Sequence, residues 1–158
     1  MKFLSLVLGA IALLSSTITL AKPSIYGLTL EKDSESWVAN YEGGRLIGKS
    51  DITGGNVYSF TMTETDKRGG FISVHAGFSA DGVLKVIETK LNAGFDTIFQ
   101  RQQSDGLKVI YDNHTVPSMR TALLANNDYA VFLTEVDGIT TANFVEVNIA
   151  LKMIKQSK

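Results

Sequence analysis

Val57-Tyr58-Ser59-Phe60-Thr61-Met62-Thr63 places Tyr58, Phe60 and Met62 at every second position, with Ser59, Thr61 and Thr63 between them. Side chains of an extended chain point alternately to its two faces, so the stretch predicts a half-buried β-strand. A polar stretch that reads as a turn follows, and the extended pattern resumes over 71–78. Lys67-Arg68, followed by Gly69-Gly70, reads as a solvated hairpin tip. Ala80-Asp81-Gly82 turns the chain again before a third segment over 83–91. Three alternating segments joined by two tight turns predict an antiparallel meander.

Upstream, Asp33 or Ser34 can accept from the free amides of a first helical turn, and Glu35 suits its positive end. Trp37, Val38 and Tyr41 fall on one side of a short helix, which Gly43-Gly44 ends. The stretch 46–55 is short and turn-rich. Downstream, 94–111 reads two ways. As a helix it gathers Phe95, Ile98, Phe99, Val109 and Ile110 in one stripe with Gln102 and Gly106 at its middle. As two strands it breaks at Ser104-Asp105-Gly106, a good turn sequence. Val116-Pro117 restarts the chain, 119–125 is a short apolar segment, and Asn126-Asn127-Asp128 turns it. Segments 129–136 and 144–154 read as strands, separated by Asp137-Gly138. The expected class is α+β, an antiparallel sheet with one or two helices on one face; an all-β sandwich or barrel is the alternative.

The first 21 residues have the order of a secretory signal peptide: Lys2, an apolar run over 3–14, and Thr19-Leu20-Ala21 as a small-residue cleavage site. Cleavage there gives a soluble, periplasmic or secreted protein that begins near Lys22 and forms one globular domain over 22–158. About 137 of the 158 residues remain, enough to bury a core without staples. The chain has no cysteine, so packing and sheet hydrogen bonds must hold it in an oxidising compartment. Removing Lys2 from 15 basic residues leaves 14 against 16 acidic, singly dispersed. That dispersion argues against nucleic acid and against a polybasic membrane patch.

Tyr58 precedes Thr63-Glu64-Thr65-Asp66 at the spacing by which Tyr129 precedes Thr134-Glu135-Val136-Asp137. Phe71-Ile72-Ser73-Val74-His75 and Phe144-Val145-Glu146-Val147-Asn148 then match in turn, and Trp37 to Tyr41 is spaced like Leu107 to Tyr111. The spacing suggests two similar halves, 22–92 and 93–158, and favours helix over the ambiguous 94–111. With Tyr26-Gly27-Leu28-Thr29-Leu30 ahead of a helix, and Leu107 and Tyr111 late in a second one, the layout resembles the β-lactamase inhibitor protein family. The resemblance spans 25–154. Members of that family usually carry Cys pairs, and Glu31 stands where a Gly is common. It implies a concave sheet that binds another protein, and it carries over no catalytic residue.

No Gly-x-Ser-x-Gly, thiol nucleophile or phosphate-cradling loop is present. A metal site would need His75, His114 and Asp112 to converge, and nothing in their spacing requires it. Glu64 with Asp66, or Glu135 with Asp137, would be the acid pairs of a hydrolase, though at hairpin tips such acids are solvated. No metal, cofactor or catalytic residue is therefore expected. The expected function is non-enzymatic: an exported protein that recognises another exported protein, as an inhibitor or immunity protein does. Tyr58, Phe60, Tyr129 and Phe132 are its candidate contact residues, positions that also suit a core. A small-molecule carrier and a small hydrolase are the alternatives.

Overall fold

The computed structural model describes Lys22 and residues 24–40, 43–92, 94–116 and 118–156. The expected leader, Tyr41 and the side chain of His114 lie outside the described residues. The chain opens with a small hairpin, β1 (Ser24–Ile25) and β2 (Leu28–Thr29), turned by Tyr26 and Gly27 at φ 56° and 77°. Helix α1 (Glu35–Ala39) follows, with the Ser34 hydroxyl accepting from the Trp37 amide. Then come β3 (Gly44–Lys49), β4 (Gly54–Phe60), α2 (Glu64–Arg68), β5 (Phe71–Ser79) and β6 (Leu84–Asn92). The second run is α3 (Phe95–Ser104), β7 (Lys108–Val116), β8 (Met119–Ala125), β9 (Tyr129–Val136), β10 (Ile139–Glu146) and α4 (Val147–Gln156).

β3 to β10 form one antiparallel sheet in the order β3-β4-β5-β6-β10-β9-β8-β7. Each run is a meander, and the two are joined where β6 pairs with β10. Among the described residues β3 and β7 have no outer neighbour, so the sheet is open and is neither a barrel nor a sandwich. The class is α+β, as expected, but helices lie on both faces. Alternation along β9 sends Tyr129, Val131 and Leu133 to one side, where they pack with Leu28, Val38, Phe78 and Phe95 beneath α1, α3 and the small hairpin. Ala130 and Phe132 point to the other side, toward Ala150 and Ile154 of α4. Among the described residues no helix is long and apolar enough to cross a membrane.

Four expectations about local structure are corrected. The stretch 46–55 contains most of edge strand β3, whose Leu46 and Ile47 are half exposed. Residues 94–111 are helix as far as Ser104 and strand from Lys108, so each reading holds for one part. Lys67-Arg68 ends α2 rather than tipping a hairpin: Thr63 and Asp66 form a reciprocal capping box that starts a helix there. The stretch 144–154 is not one strand. At Glu146, only 5% exposed, the carboxylate accepts from the Asn148 and Ile149 amides at 3.1 and 3.2 Å and from Asn148 Nδ2 at 2.6 Å, which starts α4.

Candidate functional site

Cross-strand register builds the site. Residues opposite one another on neighbouring strands share a face. Arg45 pairs with Ser59, Ser59 with His75, His75 with Glu88, Glu88 with Asn143, Asn143 with Phe132, and Phe132 with Leu123. Phe132 and Leu123 lie against α4, so this row runs along the α4 side, polar over β3 to β10 and apolar beyond. A parallel row reads Ser73, Lys90, Thr141, Thr134, Thr121 and Asn113. A third holds Ile139, Val136 and Met119 on β10, β9 and β8, where they are 44, 43 and 38% exposed.

Within the first row, His75 Nδ1 and Glu88 Oε1 stand 3.1 Å apart, both side chains about one-third exposed. They floor a cleft of about 240 Å³ walled by the turn 50–53, by Val57 and by Met153 of α4. The turn is fixed from two sides. The Ser50 hydroxyl accepts from the Ile52 and Thr53 amides, and Lys152 Nζ donates to the Ile52 carbonyl at 2.8 Å. Thr53 lines the cleft, and its buried hydroxyl has no hydrogen-bond partner among the described residues.

Serine, histidine and acid in sequence along a row repeat the order of a nucleophilic triad. The histidine–acid hydrogen bond is present, whereas none between Ser59 and His75 occurs among the described contacts. β4 is laddered on both sides, by β3 and β5, so its amides serve the sheet rather than a developing oxyanion.

The four aromatic candidates do not share a surface. Tyr58, Phe60 and Tyr129 are buried in the core, and Phe132 is half-buried on the opposite side against the α4 cluster. The Tyr58 hydroxyl donates to Glu35 Oε1 at 3.0 Å; burial, then the Glu35 carboxylate, pushes its ionisation up. Tyr129 donates to Gln102 Oε1 at 3.1 Å, and burial first, with Asp105 adding, pushes its pKa up to about 12.

The acid pairs are likewise occupied. Asp66 Oδ2 accepts from the Thr63 hydroxyl and amide and from the Tyr26 hydroxyl, and those bonds, the Thr63 hydroxyl foremost, hold its carboxyl below the usual range. Glu64 pairs with Lys67, Glu135 accepts from the Thr140 hydroxyl, and Asp137 occupies the β9–β10 turn at φ 50°. His75 and Asp112 lie on β5 and β7, with four strands between them. Among the described residues no group of three His, Cys, Asp or Glu side chains could hold a metal ion.

Sequence reasoning missed the Ser59–His75–Glu88–Asn143 row. Alternation assigns each residue a side of its own strand, but register between strands comes from the turn, and β4 and β5 are joined through α2. Comparison of the chain with protein-family models, with curated proteins and with solved structures finds no match.

Proposed function

We propose that the chain is an exported, non-enzymatic binding protein that recognises another protein through the part of the α4-side sheet face that α4 leaves open. The observation that carries this reading is the row Met119, Val136 and Ile139: three large apolar side chains, each more than a third exposed, on three adjacent strands. Scattered exposed apolar residues are ordinary, but a contiguous set flanked by hydroxyls has the make-up of an interface with a dry centre and polar rim. Thr121, Thr134 and Thr141 supply that flank, with Lys90 beyond them. The leader over 1–21 supports export, and the absence of nucleophile motifs supports binding over catalysis.

Affinity capture from the exported fraction tests it. Wild-type chain should retain one partner at stoichiometric yield, and the double variant Val136→Lys, Ile139→Lys should release it while keeping its circular dichroism spectrum and Tm. Equal retention by both forms would remove this surface from the function. Mature protein recovered from that fraction should begin near Lys22 by mass spectrometry.

A further inference from the structure

The cleft beside α4 carries chemistry that a protein-docking surface does not need. Its volume of about 240 Å³ exceeds the roughly 150 Å³ of an apolar cavity that holds benzene and falls short of the about 300 Å³ at which drug-sized pockets begin. Ile52, Val57, Val86 and Met153 give it apolar walls, and Glu88 and Asn143 give it a polar floor.

Three observations point to an occupant. Gly77 lines the cleft at an ordinary backbone angle, and an added Cβ there would meet nothing closer than the Val86 Cβ, at 3.5 Å. The missing side chain is therefore no demand of the backbone; it leaves space. Thr53 Oγ1 is buried beside that space with no hydrogen-bond partner among the described residues, and a buried hydroxyl left unpaired is unfavourable. Glu88 makes a hydrogen bond through Oε1 to His75, and no hydrogen bond to Oε2 is among the described contacts.

The charge of the occupant follows from the lining. Glu88 is the carboxylate there, with His75 on its Oε1 and its Oε2 left over, and no Lys or Arg lines the cleft. Lys152, beside Met153 on α4, donates to the carbonyls of Asp51 and Ile52. An anion would be repelled by Glu88, whereas an ammonium brings three donors and a matching charge. We propose that this cleft binds a compact primary amine, its apolar body against Ile52, Val57 and Met153 and its ammonium on Glu88 and the Asn143 side-chain oxygen.

Amide-resolved NMR titrations of the full chain with benzylamine, benzyl alcohol and benzoate at fixed ionic strength test the proposal. Benzylamine should shift the Thr53, His75 and Glu88 amides saturably, and the alcohol and the anion should bind at least about tenfold more weakly, the scale of one charge-assisted hydrogen bond. Glu88→Gln should abolish that preference. Gly77→Ala should weaken benzylamine while leaving the unfolding midpoint near wild type, and Val136→Lys, Ile139→Lys should leave it unchanged, so this site and the docking surface fail separately. Equal binding of the three probes, a preference that survives Glu88→Gln, or no response of these amides to benzylamine would overturn the assignment.

Discussion

Gly55 and Gly77 sit on neighbouring strands under opposite demands. A Cβ on Gly55 would fall 2.2 Å from the Ser79 carbonyl oxygen and 2.4 Å from that of Phe78, so glycine is what lets β4 approach β5 there. Gly55→Ala should destabilise the fold by about 2 kcal/mol or more, while Gly77→Ala should cost under about 1 kcal/mol; paired urea titrations would separate them, and equal midpoints would refute the contrast. Glu146 is a second residue whose role is local. Glu146→Ala leaves the first amides of α4 without their acceptor and should cost about 1–2 kcal/mol, read as a lower urea midpoint at unchanged slope. Tyr129 has a raised folded pKa, so its contribution is complete below pH 10, its ordinary value, and is lost as pH climbs toward about 12. Tyr129→Phe should flatten the alkaline limb of stability against pH in that window.

At the scale of elements, what the sequence could say depended on whether the signal was local. Asp137-Gly138, both at positive φ, marks the β9–β10 hairpin in two letters, and the alternation of β4, β5, β6 and β9 is read directly. Thr63-Glu64-Thr65-Asp66 satisfied the capping-box pattern, yet the polar letters suggested a turn. The matching Thr134-Glu135-Val136-Asp137 stays in β9 and its turn, so the same spacing yields helix in one place and strand in the other. The repeat by spacing pairs β4 with β9 and β5 with β10, whereas equal places in the two meanders pair β4 with β8 and β5 with β9. Leu107 and Tyr111, expected late in a helix, lie beyond its end, with Tyr111 on β7. α4 was missed because Val147, Ala150, Leu151 and Ile154 follow helical period directly after a strand, and only Glu146 marks the change.

Across the whole molecule, the small hairpin is tied to the sheet by charge. Glu31, itself at φ 56°, pairs with Lys22 and, at 3.0 Å, with Lys85 on β6. Burial raises its carboxyl, but the two lysines more than offset this and leave it below its ordinary value of 4.5. A depressed carboxyl stabilises above that ordinary value and loses its contribution as pH falls through the folded one. Glu31→Gln should therefore flatten the acid limb of the midpoint-against-pH curve; an unchanged limb would show that the pairs add nothing. Hydrogen exchange should be slowest on β6 and β10, the two central strands of the sheet, and fastest on the outward amides of β3 and β7. The β6–β10 junction and the site geometry were beyond the sequence because both are set by pairings between residues far apart in it.

The junction of β6 with β10 has a consequence for the chain as it is made. By the time Asn92 has emerged, the first meander can be complete, yet the inner border of β6 has no neighbour until Ile139 and the residues after it arrive. During that interval a nascent chain offers an unoccupied sheet margin to any other extended polypeptide nearby. Protection from mispairing at this stage falls to whatever keeps nascent chains apart, and the finished fold closes the gap only with its last strand.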